Sequence, residues 1–339
     1  MTVTYNIYQR ETLDQTPVAI ATGLNSKNHA VSDLTKGKKY LFSVGVVRNG
    51  LEKISNEKLI LAGIAWTPSN LTNTPKIWLD SDNVLTSGSQ ITQATDLSGN
   101  NYHFTQSTAQ YRPTVEFDSS INHNTIKFDG LDDDLRNLQA QAVARNVSKF
   151  WTLVIYKKRS TDSIAQTKTI LQTNRGDAAT GNARLGIYAG FNTVANASSI
   201  YVRPSDSASN STSITGSVKS QEWTILFTEW DGAAQKINLS QDGIFTSYNA
   251  TGIASTTSNT QPTVAPLMIG AGTFAISSSE VNTNRSAFSD ISIACILVGS
   301  GSLPTIEERQ KLEGWAAHKY GLVDNLPLDH PFKILTPTL

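Results

Sequence analysis

The chain has 339 residues, with 28 basic and 28 acidic side chains, and therefore carries no net charge when histidine is neutral. This balance lacks the basic excess of proteins that bind nucleic acids or anionic membranes, and the length allows two domains. The single cysteine, Cys295, excludes an internal disulfide and a cysteine-rich zinc site, and its apolar surroundings predict a buried core residue.

Residues 1–62 alternate apolar and polar side chains from Val3 onward, as β-strands do. Leu34, followed six residues later by Tyr40, is typical of the tyrosine corner of Greek-key sandwiches. YNIYQ and the stretch ATGLNSKNHAVSDLTKGKKYLFSVGVVRNGLEKISNEKL resemble the second half of a fibronectin type III module. The resemblance implies that the first two strands of this small β-sandwich module are missing. We expect a second copy of the chain or a neighbouring protein to cover the face that they leave.

Residues 63–75, GIAWTPSNLTNTP, contain two prolines and many turn-forming residues. This composition predicts a linker between two domains. The strand pattern resumes at Ile77, so the second domain is predicted over residues 76–339.

Short motifs follow one another through this second domain. They are WLD at 78–80, DLSGN at 96–100, RPT at 112–114, FDGLDDDL at 128–135, and ERQKLEGWAAHKYGL at 308–322 with LPLDHPFK at 326–333. In this order they resemble the laminin-G-like, concanavalin-A-like jelly-roll domains of bacteriophage virion proteins and bacterial surface proteins. The resemblance covers residues 77–333 and implies an all-β, antiparallel sandwich.

The sequence between the motifs predicts the strands of such a two-sheet sandwich, separated by polar turns. The predicted strands are 150–157, 169–172, 183–189, 199–202, 223–230, 236–239, 266–269 and 288–298. Asp242-Gly243 predicts a hairpin turn. Residues 205–220 and 254–261 predict exposed loops, because they contain few apolar residues.

One segment has a clear helical pattern, predicted over residues 304–320. Thr305 and Glu308 have the spacing of a capping box, and Gly321 suits the position that ends a helix. The helix has one apolar stripe, so we expect it to cover one end of the β-core. Arg309 lies on that stripe and requires a carboxylate or carbonyl partner.

The sequence contains no set of groups that predicts catalysis. The glucanases that share this fold carry a run of acids on one strand, and glycosidases need two facing carboxylates. Glu229 and Asp231 are the nearest pair, but Asp231-Gly232 predicts a turn. We therefore predict no enzymatic activity and no catalytic residues.

Aromatic, basic and polar residues near loops are the candidate contacts for a sugar. They are Asn174, Arg175, Asp177, Tyr188, Phe191, Tyr201, Arg203 and Trp230. The alternative interpretation places the aromatic residues in the core, where strand residues of this type are usually buried.

A calcium ion is the one cofactor that the sequence suggests. Asp132, Asp133 and Asp134 supply hard oxygen ligands in a turn, as Ca²⁺ prefers. In the alternative interpretation, the three acids form a solvated cluster at a strand end and cap backbone amides.

The resemblance implies a non-catalytic phage virion structural protein (tail, fibre or decoration), made in the bacterial cytoplasm and assembled on the particle surface. Residues 1–62 would contact other virion proteins, and the outward jelly roll would recognise host-surface polysaccharide. We expect a homo-oligomer and neither a nucleic-acid partner nor a membrane span. Two alternatives remain: a purely architectural assembly or decoration protein, and a glycan-degrading enzyme with an atypical site.

Overall fold

The computed structural model describes residues 3–26, 29–32, 34–35, 37–63, 65–161, 166–173, 184–190, 197–204, 212–257, 266–273 and 284–338. The chain divides into two compact units. Unit 1 comprises Met1–Trp66 and Phe332–Leu339, and unit 2 comprises Thr67–Pro331. The division falls within the predicted linker, and the last residues of the chain group with unit 1.

Unit 1 is built from antiparallel strands. They are β1 (Val3–Arg10), β2 (Val18–Leu24), β3 (Lys39–Arg48), β4 (Leu51–Ile54) and β5 (Lys58–Leu61). The strand order is β2-β1-β3-β4, and β5 pairs with the other half of β3. All described strands of this unit join one hydrogen-bonded sheet, so unit 1 is a single β-layer, and the fibronectin type III-like module stays a prediction.

Two hydrogen bonds outside the strand pairing stabilise unit 1. The backbone N–H of Thr35 donates to the hydroxyl oxygen of the buried Tyr40 at 3.0 Å, which is the contact that the tyrosine-corner spacing predicts. The backbone N–H of Trp66 donates to the carbonyl oxygen of Pro337 at 3.0 Å. This second bond explains why the end of the chain groups with the first unit.

Unit 2 contains the remaining strands. They are β6 (Ile77–Ser87), β7 (Gln90–Asp96), β8 (Phe104–Thr105), β9 (Thr114–Asp118), β10 (His123–Asp129), β11 (Leu135–Asn137), β12 (Lys149–Lys158), β13 (Thr169–Thr173), β14 (Arg184–Tyr188), β15 (Ala197–Arg203), β16 (Thr212–Val218), β17 (Trp223–Asp231), β18 (Lys236–Gln241), β19 (Ile244–Asn249), β20 (Leu267–Ile269), β21 (Gly272–Thr273), β22 (Arg285–Ser286) and β23 (Asp290–Ser300). The predicted strands 150–157, 223–230 and 288–298 match β12, β17 and β23 to within two residues.

The strands of unit 2 form two layers that face each other across one core. The hydrogen-bonded path runs from β16 through β15, β14, β13, β20 and β11 to β8 and β7, and then through β9, β10, β23, β12 and β17 to β18 and β19. The path folds back on itself, because the hydroxyl groups of Tyr156 on β12 and Ser198 on β15 meet at 2.7 Å. Val154 and Ile200 lie in the shared core. The predicted fold class, an all-β antiparallel sandwich, is confirmed.

One predicted loop contains a strand, and one predicted turn is confirmed. β16 occupies part of residues 205–220, because Ile214 pairs with Ile200 and packs against the core despite the polar composition around it. Asp242 and Gly243 both have positive φ, 54° and 81°, as a type I′ hairpin turn requires. This turn joins β18 to β19.

The predicted C-terminal helix is present as α1 (Ile306–Lys319). Glu308 N–H donates to Thr305 Oγ1 at 3.1 Å, and Thr305 N–H donates to Glu308 Oε2 at 2.9 Å, which completes the capping box. At the other end, Leu322 N–H donates to the carbonyl oxygen of Ala317 across Gly321, whose φ is +66°. Among the described residues, no helix is long and apolar enough to cross a membrane.

Arg309 lies beside an aromatic ring and a carboxylate, although its Nε makes no hydrogen bond among the described residues. Its guanidinium carbon lies 3.9 Å from the ring centroid of Phe245 on β19. Its Nε lies 3.9 Å from Glu313 Oε1 one helical turn later. The stacked ring and the carboxylate together compensate a charge that is mostly removed from solvent.

Candidate functional site

An open surface depression of about 400 Å³ lies beside β9, β12 and β23 in unit 2. It is lined by Glu116, Phe117, Asp118, Ser119, Lys157, Arg159, Gln221 and Ser292. Strand β9 pairs with β10 along its length but with β7 only at Thr114, so its far end is an open sheet edge among the described residues. Phe117 lies at that end with its side chain 59% exposed. Because side chains alternate along a strand, Phe117 lies on the face of β9 opposite to Glu116 and Asp118, so the depression combines charged groups on one face with an exposed aromatic residue at its open edge.

Four charged side chains of the depression form two ion pairs. Arg159 Nη1 donates to Glu116 Oε2 at 2.6 Å, and Lys157 pairs with Asp118. The charges of these two acids and two bases cancel. Paired groups hold one another in defined positions, so the depression presents fixed donors and acceptors without a net charge.

Asp118 remains a carboxylate acceptor at neutral pH. Burial acts to raise its pKa, but hydrogen bonds from Lys157 and Ser120 outweigh this effect and lower the pKa to about 2. Trp223 also donates its Nε1–H to Asp118 Oδ2 at 3.3 Å. The ammonium of Lys157 lies 5.1 Å from the centroid of the Trp223 ring, so this corner of the depression is rigid.

The sequence predicted a different set of contacts for a sugar. Four of those residues, Asn174, Arg175, Asp177 and Phe191, lie outside the described residues. Their role stays a prediction.

Three of the other predicted contacts share one face of neighbouring strands. Tyr188 on β14 and Tyr201 and Arg203 on β15 alternate with Ile187 and Ile200, which belong to the core. Because side chains alternate between the two faces of a strand, these three residues project away from the core. The structure thus brings them together, at a place separate from the depression.

Burial decides how accessible these predicted residues are. Trp230 is completely buried and belongs to the core, as the alternative interpretation of the aromatic residues has it. Tyr188 is also completely buried, and its hydroxyl donates to Gln172 Oε1 at 3.2 Å. Arg203 is buried, and Tyr201 keeps partial exposure. Sugar binding by these residues stays a prediction.

The acidic turn after β10 brings three carboxylates together. Ligand oxygens of Asp129, Asp132 and Asp133 lie within 4.8 Å of one another. Asp129 N–H donates to Asp133 Oδ2 at 2.9 Å, and Leu131 N–H donates to Asp129 Oδ1 at 2.8 Å. The contacts of the alternative interpretation, in which the acids cap backbone amides, are therefore present as well.

Asp134 points away from these three acids and is neutralised by arginine. It is completely buried, and it accepts from Arg136 Nε and Nη2 at 2.7 and 2.8 Å. Arg285 Nη1 donates to it at 2.6 Å, and Gln106 Nε2 at 3.0 Å. These donors occupy both oxygens of the Asp134 carboxylate. The carboxylates that could hold a metal ion together are therefore those of Asp129, Asp132 and Asp133, and Asp134 is not one of them.

The carboxyl group of Asp133 is the most perturbed member of the turn. Burial raises its pKa to about 7, although the bond from Asp129 N–H opposes this, and the charges of Asp129, Asp132 and Asp134 raise it further. A divalent cation would remove this repulsion, and carboxylate oxygens are ligands that Ca²⁺ prefers. The calcium site predicted at Asp132, Asp133 and Asp134 stays a prediction, and the acids that the structure brings together are Asp129, Asp132 and Asp133.

The acids nearest to a glycosidase pair have structural contacts. Glu229 accepts from Asn238 Nδ2 at 2.6 Å, and burial raises the pKa of its carboxyl group. Asp231 accepts from Ala234 N–H at 2.9 Å and lies 3.3 Å from Lys149 Nζ. Asp231 therefore acts as the turn residue that Asp231-Gly232 predicted.

Sequence reasoning did not single out the residues of the depression. The run Glu116-Phe117-Asp118, an aromatic residue between two acids at the end of a short strand, was the available signal. The base Lys157 lies on β12 and Arg159 directly follows that strand, and the pairing of β10 with β23 and of β23 with β12 brings both bases alongside.

The chain matches no family model and no curated protein. The chain is similar in fold to solved structures, of which three follow. The CBM40 domain of the Ruminococcus gnavus IT-sialidase, bound to α2,3-sialyllactose, is 12% identical over 54% of this chain and 92% of its own, with a TM-score of 0.36. The Limulus polyphemus SAP-like pentraxin is 11% identical over 56% of this chain and 81% of its own, with a TM-score of 0.37. Botulinum neurotoxin type C is 10% identical over 67% of this chain and 48% of its own, with a TM-score of 0.40.

Proposed function

We propose that unit 2 is a non-catalytic glycan-binding module and that the Phe117 depression is its binding site. The exposed Phe117 at the open edge of β9 is the observation that supports this, since it lines the depression together with two ion pairs on the other face of that strand. Sugar rings stack their C–H faces on aromatic side chains, while fixed polar groups bind the hydroxyls. A depression of about 400 Å³ lies in the size range of small-ligand sites.

The ligand class follows from the charges. Glu116 and Asp118 balance Arg159 and Lys157, so an anionic sugar gains no net attraction. A neutral polysaccharide with several adjacent hydroxyls suits this pattern of paired donors and acceptors.

We further propose that the protein is a structural component of a phage particle and that its ligand is host-surface polysaccharide. The support for this is the ordered set of motifs from WLD at 78–80 to HPFK at 330–333. In this proposal, unit 1 contacts other virion proteins. Imaging of labelled protein on intact particles tests the location, and label on free protein alone would contradict it.

Binding of host-surface polysaccharide to immobilised full-length chain tests the site. We expect Phe117→Ala to weaken binding at least about tenfold, since about 1.4 kcal/mol corresponds to that factor. Tyr248→Ala is the matched control, because Tyr248 is an aromatic residue on β19 with a comparable exposure of 52%. Equal losses in both variants would contradict the assignment.

Two further measurements separate the alternatives. Tyr201→Ala tests whether the face of β14 and β15 binds the polysaccharide. If Tyr201→Ala weakens binding and Phe117→Ala does not, the binding site lies on that face. Chromatography of polysaccharide after incubation with the protein tests catalysis, and shorter products would contradict a non-catalytic module. Absence of binding to any host polysaccharide would favour the purely architectural role.

A further inference from the structure

Unit 1 presents one apolar face to solvent. Residues directly opposite each other in paired strands lie on the same side of the sheet. Ile7 pairs with Val44, Tyr5 with Val46, and Val3 with Arg48. The apolar face defined in this way consists of Val3, Tyr5, Ile7, Val18, Tyr40, Phe42, Val44, Val46, Leu51 and Ile60, of which Tyr40 is buried.

Several apolar residues of this face are strongly exposed. Val44 is 41% exposed, Val46 40% and Leu51 79%, and they line a shallow groove together with Ile54. Exposed single apolar residues are ordinary, but a contiguous apolar patch of several strands marks an interaction surface. A single β-layer also needs a second layer for stability.

The charges on the face are all basic and lie toward one edge. Arg48 pairs with Leu51, Lys53 with Val46, and Lys58 with Phe42, so the three cations share the side of the apolar residues. The edge formed by β2 contributes no charge to this face. The turn that precedes β2 carries the exposed Asp14.

This distribution suits a second copy of the same chain. A two-fold axis parallel to the strands, between β1 and β3, places the basic edge of one copy over the uncharged β2 edge of the other. Lys58, Phe42 and Val18 lie in one row across the sheet. In the dimer this row of one copy lies over the same row of the other. Lys58 is therefore next to the turn before β2 of the partner copy, which contains Asp14. A two-fold axis across the strands would oppose the two basic edges.

The area of the face meets the needs of a dimer. Four strand positions about 4.8 Å apart and about eight residues of about 3.4 Å give a footprint of about 500 Å² on each copy. The total of about 1,000 Å² is the lower size of a specific interface. Packed sheets with nearly aligned strands are a common way to complete a sandwich.

We propose that unit 1 dimerises face to face through this apolar face, so that each copy supplies the second β-layer of the other. The dimer forms independently of glycan binding. It follows from the register and burial of unit 1 alone.

Sedimentation velocity of the full chain over a concentration series tests the dimer. We expect a dimer that dissociates on dilution, and we expect Val46→Asp to raise its dissociation constant at least about a hundredfold, because it buries one unpaired charge on each copy. Ile244→Asp, the same type of change at an exposed strand residue of unit 2, is the control and leaves the constant unchanged. Circular dichroism verifies that both variants are folded.

A charge exchange tests the orientation. Lys58→Glu brings an acid next to Asp14 of the partner copy and weakens the dimer about threefold, and the double variant Lys58→Glu with Asp14→Lys restores it. A monomer at about 200 µM, or a dimer that Val46→Asp leaves intact, would overturn the proposal. Complex formation with a different protein in place of a second copy would overturn it as well.

Discussion

The indole rings of Trp78 and Trp315 meet edge to face, with centroids 5.9 Å apart and planes at 86°. Trp78 belongs to the first motif of unit 2 and Trp315 to the last, so the two ends of the sandwich sequence are in contact. Trp315 also meets Tyr320 edge to face at 6.4 Å. The motifs that support the family resemblance are therefore partly the residues that attach α1 to the sheet.

Replacement of Trp315 by alanine removes this attachment. We expect the free energy of unfolding to fall by about 2–3 kcal/mol, from the lost aromatic pair and the lost apolar burial. Urea denaturation followed by circular dichroism measures the change. Ile306→Ala on the same helix is the control, because Ile306 is exposed and its loss costs at most about 0.5 kcal/mol. Equal effects of the two changes would contradict a role of the pair.

An ion pair between a half-buried lysine and a buried aspartate, next to the indole rings, makes a second attachment. Lys319 pairs with the buried Asp80, to which the Tyr320 hydroxyl also donates at 3.2 Å. In a double-mutant cycle with Asp80→Asn and Lys319→Met, we expect a coupling energy of at least about 1 kcal/mol. The exposed pair Glu307–Lys311 is the comparison and gives less than about 0.5 kcal/mol. Additive effects at Asp80 and Lys319 would show that the charges do not stabilise α1.

Asp133 makes stability depend on pH. Its folded-state pKa of about 7 lies above the ordinary value of 3.8, so its contribution is fully present below about pH 4 and is lost as the pH rises through about 7. We expect Asp133→Asn in metal-free buffer to raise the free energy of unfolding by about 1–2 kcal/mol at pH 8, after allowance for solvent screening. At pH 4 we expect little difference. A variant that is no more stable than the parent protein at pH 8 would contradict the raised pKa.

Calcium tests the oxygens of the acidic turn. We assume that Asp129, Asp132 and Asp133 hold the ion. Free calcium at ten times its dissociation constant then raises the free energy of unfolding by about 1.4 kcal/mol, which corresponds to about 2–4 °C in the melting temperature. Asp132→Asn abolishes the increase, whereas Asp118→Asn, a change at an acid of the Phe117 depression, leaves it intact. Identical melting of the parent protein with calcium and after chelation would eliminate the site.

Local patterns determined much of unit 2 directly. The alternation of apolar residues placed β12, β17 and β23 to within two residues, and the capping box located the start of α1. Each of these features depends on residues a few positions apart, whose interactions the chain itself imposes. The loop predicted at 205–220 is wrong over Thr212–Val218, because pairing with β15 and the packing of Ile214 against the core hold β16 in spite of its polar composition.

The sites were decided by residues far apart in sequence. Three adjacent acids gave no indication that Arg136 and Arg285 would occupy Asp134, or that Asp129 would replace it beside Asp132. The Phe117 depression likewise needs bases from another strand. The charge partners, burial and exposure of these residues are set when strands distant in sequence become neighbours. The alternation of apolar and polar residues along one strand does not show which strand will pair with it.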